Sequence, residues 1–142
     1  MSVSVFVADD HAIVRDGLCA LLRTHPDIDI VGTAASGSDA LEQVKRLRPR
    51  VVILDISMPD LDGIEVARKI GKALPDTAIL LLSMHYGPHY VVQALEAGAR
   101  GYLLKESASA EIVDAVRAVD GGQRYLNRQV AQIVAHGIGE RT

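Results

Sequence analysis

The strongest constraint on this chain is an alternation of two apolar periods. Five short apolar runs stand out: Val3 to Ala8, Ile28 to Ala34, Val51 to Ile56, Ala78 to Ser83 and Gly101 to Lys105. Val51-Val52-Ile53-Leu54 and Ile79-Leu80-Leu81-Leu82 are continuous, and Val3 to Val7 is broken only by Ser4. Runs this short and this continuous suit strands buried on both faces, as in a parallel sheet. Between them the apolar residues recur at helical spacing. One stripe holds Ile13, Val14, Leu18, Leu21 and Leu22. A second holds Ala40, Leu41, Val44 and Leu47 and stops at Pro49. A third holds Ile64, Ala67, Ile70 and Leu74 and stops at Pro75. A fourth starts at Gly87-Pro88 and carries Val91, Val92 and Leu95. A fifth starts at Ser107, a suitable N-cap with Glu111 behind it, and runs to Gly121-Gly122. Five strand–helix units imply right-handed crossovers and helices on both faces. The expected fold is α/β, a flavodoxin-like (βα)5 doubly wound parallel sheet in the order 2-1-3-4-5.

Composition narrows the class. With 142 residues, 15 Lys+Arg against 18 Asp+Glu and a net charge of −3, a nucleic-acid surface spread over the whole fold is not expected. One cysteine, Cys19, excludes an internal disulfide and fits a reducing cytoplasm. No apolar run approaches the ~20 residues of a membrane span. Residues 1–122 are read as one domain. Residues 123–142, with Arg124, Arg128 and Arg141 against Glu140, are read as a linker or docking extension with a short helix capped by Asn127.

In an open α/β sheet, ligands bind beyond the carboxyl ends of the strands, where the strand order reverses. Asp9 and Asp10 follow the first strand, Asp55 lies near the end of the third, and Ser83 and Lys105 end the fourth and fifth. Three carboxylates in one place repel one another, and a divalent cation removes that cost. With oxygen donors and no Cys or His at a matching strand end, the expected ion is Mg²⁺ or Mn²⁺ rather than Zn²⁺. The loop Ala8-Asp9-Asp10-His11 is too acidic to cradle a bare phosphate, which argues against a flavin nucleotide. Each residue alone has a plainer explanation as a cap or a solvated charge, but their joint placement does not.

Asp9-Asp10, then Asp55-Ile56-Ser57-Met58-Pro59-Asp60-Leu61-Asp62-Gly63, then Ser83, then Tyr102-Leu103-Leu104-Lys105 resembles the receiver domain of bacterial two-component response regulators. The resemblance covers residues 3–121. The segment Gly121 to Asn127 with Val130-Ala131 resembles the NarL/FixJ subgroup, in which a linker leads to a LuxR-type helix-turn-helix. It implies that Asp55 is the phosphoacceptor and that Asp9, Asp10, Asp55 and the Ser57 backbone carbonyl hold Mg²⁺. It also implies that Lys105 and Ser83 bind phosphoryl oxygens, and that Ser83 and Tyr102 form the switch, Tyr102 turning from outside to inside. Ser57 and His85 would flank the water that hydrolyses the acyl phosphate. The implied partners are a sensor histidine kinase or phosphotransfer protein and, on phosphorylation, a second copy of the chain. DNA would be reached only through an output domain that these residues do not include.

Such a protein turns over no external metabolite and is not an enzyme in that sense. The alternatives are a stand-alone receiver acting by docking, a receiver-like scaffold that is never phosphorylated, and an aspartyl-phosphate phosphohydrolase. The last needs Asp-x-Asp after the first strand, where this chain has adjacent acids. His85 and His89 are spaced like zinc ligands, but Gly87-Pro88 interrupts any helix between them. His11 is expected to be a neighbour of the acidic cluster, Asp60 and Asp62 to be loop and cap residues, and Cys19 to be a small packed residue.

Overall fold

A computed structural model describes residues 2–84 and 87–141, the side chains of 136–141 excepted. The elements run β1 (Val3–Ala8), α1 (Ala12–Arg23), β2 (Ile28–Ala34), α2 (Gly37–Leu47), β3 (Val51–Asp55) and α3 (Gly63–Ala73). They continue with β4 (Ala78–Ser83), α4 (Pro88–Glu96), β5 (Gly101–Leu104), a 3₁₀ turn over Lys105–Ser107, α5 (Ala108–Asp120), β6 (Tyr125–Leu126) and α6 (Arg128–Arg141). All pairings in the sheet are parallel, in the order β2-β1-β3-β4-β5-β6. The chain therefore has the doubly wound flavodoxin-like architecture, with one strand more than the five expected.

The continuous apolar runs become the interior of the sheet. Every residue of β3 and β4 is buried, because helices close both faces. Alternate residues of each strand feed two cores. Val5, Val7, Ile53, Leu80, Leu82 and Leu103 pack with α1 and α5. Phe6, Ala8, Val52, Leu54, Ile79, Leu81, Tyr102 and Leu104 pack with α2, α3, α4 and α6. Cys19 lies in the first of these cores, and burial pushes its thiol pKa up. Two apolar residues of the predicted stripes stay out: Leu47, at the end of α2, is 38% exposed, and Ile13, in the first turn of α1 at the carboxyl end of the sheet, is 89% exposed.

After Gly122 the chain returns to the sheet. Tyr125 and Leu126, within the expected linker or docking extension, lie beside Gly101 and Tyr102 of β5 as β6. The Tyr125 amide donates to the Arg100 carbonyl at 2.9 Å. Asn127 caps α6 as expected, its side-chain oxygen accepting from the Val130 amide at 2.9 Å. Val130 is fully buried in the core that contains Tyr102, and Leu126, Ile133 and Val134 pack against that core. The other caps vary. Ser107 occupies the N-cap of α5, but its hydroxyl donates to the Leu104 carbonyl instead of accepting from the helix. Glu111 accepts from the Tyr125 hydroxyl at 2.9 Å.

Candidate functional site

The end of β1 presents Asp9 and the end of β3 presents Asp55, both shut away from water, with Asp10 exposed beside them. Asp9 is held from several sides. Its amide donates to the Ala34 carbonyl at 3.0 Å, its Oδ1 accepts the His11 amide at 2.8 Å, and its carbonyl accepts from Arg15 Nη1 at 2.9 Å. Asp55 is the last residue of β3, in register with Leu82 of β4. Its Oδ1 accepts the Ser57 amide at 3.1 Å and its Oδ2 accepts from Lys105 Nζ at 2.9 Å.

The loop after Asp55 is fixed at both ends. Gly63 begins α3 against the backbone of β3, where a Cβ would stand 2.2 Å from the Asp55 carbonyl oxygen, so no larger residue fits without moving backbone. Within the loop Ser57 and Asp62 form an antiparallel bridge, and Asp62 caps α3 through Ile64. Asp60 reaches the start of α2. It accepts from the Gly37 amide at 2.7 Å, the Ser38 amide at 2.9 Å and the Ser38 hydroxyl at 2.6 Å. The Ser38 hydroxyl and these amides hold the Asp60 carboxyl well below the usual carboxylate range, as expected for an anion at a helix N-terminus.

Lys105 follows β5, and its side chain is 9% exposed. Its ammonium joins Asp55 to Asp9, lying 3.3 Å from Asp9 Oδ1 and 3.2 Å from Oδ2. Among the described residues Asp9 Oδ2 has no hydrogen-bond donor, so the latter contact is one of charge without hydrogen-bond geometry. Burial pushes the Asp55 carboxyl up to about 6, the Lys105 hydrogen bond opposes the rise, and the Asp9 charge adds to it. For Lys105, burial works to lower the pKa, but the hydrogen bond to Asp55 and the charges of Asp55 and Asp9 outweigh it and raise the value.

Ser83 and Tyr102 are both fully buried. Burial raises the Tyr102 phenol, and a hydrogen bond shared with the Ser83 side chain opposes that rise. Tyr102 therefore already points inward, where the sequence suggested an outward residue awaiting a signal. His89 lies on α4, edge to face with Tyr90 at 5.6 Å. His85 lies outside the described residues, and with it the zinc pair and the water-flanking role.

Asp9, Asp10, His11 and Asp55 each offer one ligand atom within 4.8 Å of the others. Three hard oxygen donors and a buried carboxylate oxygen with no hydrogen-bond donor among the described residues fit a divalent cation such as Mg²⁺ or Mn²⁺. His11, expected as a neighbour of the acidic cluster, lies there and offers a nitrogen beside the acids. His11 Nδ1 lies 3.2 Å from Asp10 Oδ1, 3.3 Å from Asp9 Oδ1 and 2.9 Å from Lys105 Nζ. Adjacency to Asp9-Asp10 was the available signal, but the reach to Lys105 spans the whole fold. A pocket of about 380 Å³ opens beside this cluster, lined by His11, Val14, Ser83, Met84, Leu104, Lys105 and Glu106.

Residues 5–117 match the response regulator receiver domain, and the chain belongs to that family. It is 37% identical over 133 residues to the response regulator GacA of Pseudomonas syringae pv. syringae, covering 94% of this chain and 62% of GacA. It is 40% identical over 129 residues to the transcriptional regulatory protein LiaR of Bacillus subtilis, covering 91% of this chain and 61% of LiaR. The chain thus spans about three fifths of the length of these relatives. A crystal structure of a LuxR-family two-component response regulator from Aurantimonas sp. superposes with a TM-score of 0.90 at 34% identity, over 96% of this chain and 98% of that one. Among the described residues no helix is long and apolar enough to cross a membrane.

Proposed function

We propose that this chain accepts a phosphoryl group on Asp55 from a sensor histidine kinase or phosphotransfer protein, and that the aspartyl phosphate switches an output. The observation that carries the reading is a buried carboxylate held by an ammonium at 2.9 Å and a backbone amide at 3.1 Å, beside two further acids. An Asp55 oxygen attacks phosphorus in line, the bond from phosphorus to the donor's imidazole nitrogen breaks, and the imidazole leaves. Asp9, Asp10, Asp55 and the Ser57 carbonyl are the residues for Mg²⁺, with Mn²⁺ as a substitute. Bound there, the ion offsets charge on the carboxylates and on the phosphoryl oxygens. Lys105 turns one donor to a phosphoryl oxygen, and Ser83 gives its hydroxyl to another.

The switch follows from that last contact. A phosphoryl partner for Ser83 alters its hydrogen bond with Tyr102, so the two residues move together. With Tyr102 buried in this structure, the outward rotamer is the state to look for. One Tyr102 rotamer with and without a phosphoryl mimic would remove this coupling.

On this reading residues 1–122 are the receiver and 123–142 an extension toward an output domain. The output is transcription through DNA binding by that domain, as the family membership and the name of LiaR suggest. The protein acts in the cytoplasm, pairs with a second copy when phosphorylated, and turns over nothing but its own phosphoryl group. The test is intact mass after incubation with Mg²⁺ and a small-molecule phosphodonor. A Mg²⁺-dependent phosphate adduct is expected on the natural chain and not on Asp55→Asn. No adduct on the former, or an equal adduct on the latter, overturns the reading.

A further inference from the structure

We propose that the extension after Gly122 reads the position of Tyr102: an inward Tyr102 and a docked β6 and α6 are one state, and the ring turns outward only when the extension leaves. The effect of phosphorylation on that state rests on the phosphoacceptor reading, and the shared packing does not. Tyr102 stands in β5 between two neighbours, Leu81 of β4 on one side and Leu126 of β6 on the other. Its hydroxyl shares a hydrogen bond with Ser83 of β4, so the phenol leans toward the middle of the sheet. The opposite side is where a five-stranded sheet ends, with the edge of β5 open to water. In this chain β6 pairs with that edge, and α6 packs on both β6 and α4. Val130 of α6 is fully buried in the core that holds Tyr102, and Leu126 packs against the same core.

A ring that swings away from Ser83 moves toward this side. Protein interiors are close-packed, and a ring cannot enter a place filled by leucine and valine side chains without displacing them. The two positions of Tyr102 are therefore two positions of the extension as well. Linkage makes the coupling reciprocal: whatever favours one Tyr102 position favours the matching state of β6 and α6 to the same degree.

The Ser83 hydroxyl sets the direction. A hydroxyl has one donor and two acceptor lone pairs, so Ser83 can give its proton to a phosphoryl oxygen while accepting from the Tyr102 phenol. Hydrogen bonds in series polarise and strengthen one another. The aspartyl phosphate thus tightens the inward ring and, with it, the seat of α6. Without the phosphoryl group the outward ring, with the extension released, is the more populated alternative. The signal reaches the extension through two side chains, Ser83 and Tyr102.

The experiment is amide hydrogen exchange on the 142-residue chain, followed at Tyr125 and Ala131, whose amides donate to the Arg100 and Asn127 carbonyls. In the natural chain these amides should exchange at least about tenfold faster than Phe6 and Ile53 of the central strands, because the extension releases locally. Without metal or phosphodonor, Ser83→Ala and Tyr102→Phe each remove the shared hydrogen bond, and exchange at Tyr125 and Ala131 should rise about fivefold. The reverse direction uses 3-fluorotyrosine, with the Tyr102 ¹⁹F signal assigned by its loss in Tyr102→Phe. Val130→Ala should give that signal a solvent isotope shift that the natural chain lacks. With Mg²⁺ and a small-molecule phosphodonor, exchange at Tyr125 and Ala131 should slow about fivefold in the natural chain and not in Tyr102→Phe carrying the same adduct by intact mass.

Unchanged exchange at Tyr125 and Ala131 in both Ser83→Ala and Tyr102→Phe, or a Tyr102 signal as sheltered in Val130→Ala as before, overturns the proposal. So does a phosphorylated natural chain whose extension exchanges no more slowly. If no adduct forms while both variants still speed exchange in the extension, the phosphoacceptor reading fails and the coupling stands.

Discussion

At the ends of β1 and β3 two carboxylates, Asp9 and Asp55, are shut away from water with one ammonium between them. Across the sheet, Val130 of α6 and Tyr102 of β5 are equally inaccessible, but they lie in one apolar core, where the Tyr102 hydroxyl shares a hydrogen bond with Ser83. Burial is the same in both places, and its sign differs. At the first it raises Asp55 to about 6, so the ionised group is held at a cost. At the second it is the ordinary gain from removing apolar surface from water. The fold therefore carries its chemistry where it is least relaxed and stabilises itself at the edge where the extension docks.

The largest expected effect breaks the relaxed side. Val130→Asp places a charge with no partner in the core beneath α6, at a cost of roughly 3 kcal/mol or more. Hydrogen exchange is expected to speed up over α6 and β6 first, and the urea midpoint to fall. Amides of α6 exchanging as slowly as before would show that the extension does not depend on this contact.

The next effect relieves the strained side. Because Asp55 is raised from 3.8 to about 6, the folded chain binds more protons than the unfolded one between about pH 4 and 6. Stability from this group therefore falls as pH rises through that window and is lowest above it. In metal-free buffer Asp55→Asn should be more stable than the natural chain by about 1–3 kcal/mol above pH 6, with the advantage fading by about pH 4. Thermal unfolding across pH 4–8 reads this, and a constant difference across the series would contradict it. Mg²⁺ should stabilise the natural chain above pH 6 and do less for Asp55→Asn, since a ligand bound only by the folded state shifts the midpoint upward.

These two regions also differ in how much a reader of the sequence could see. Asp9, Asp10, Asp55, Ser83 and Lys105 lie at strand ends, and strand ends could be located because the runs were continuous and the helix stops were Pro and Gly. The order of the first five strands follows from the same alternation. The helix with Val130, Ile133 and Val134 is visible as a period, but where it docks is not, because it packs against α4, some forty residues earlier in the chain. A two-residue strand such as Tyr125–Leu126 has no period at all. Ile13 shows the opposite failure: its spacing says inward, and the end of the sheet leaves it 89% exposed. Asp60 is the loop and cap residue expected, but the amides it caps, Gly37 and Ser38, are 23 and 22 residues away in the chain, which no local pattern shows. Local pattern identifies an element and its ends, and non-local pairing decides what those ends touch.

The smallest effect sharpens the comparison at the seam between receiver and extension. The Tyr125 hydroxyl donates to Glu111 Oε1 at 2.9 Å, joining β6 to the first turns of α5. Burial raises the Tyr125 phenol to about 12, helped by the hydrogen bond and charge of Glu111, so the donor stays protonated to about pH 11. Tyr125→Phe removes that bond and leaves the ring, which should cost about 0.5–1 kcal/mol because the site is partly open to water. The loss should be the same at pH 7 and pH 9, in contrast to Asp55→Asn, whose effect changes below pH 6. Denaturant midpoints at the two pH values measure it. A loss above about 2 kcal/mol would mean that this one hydrogen bond, rather than the apolar seat of Val130, holds the extension on the sheet.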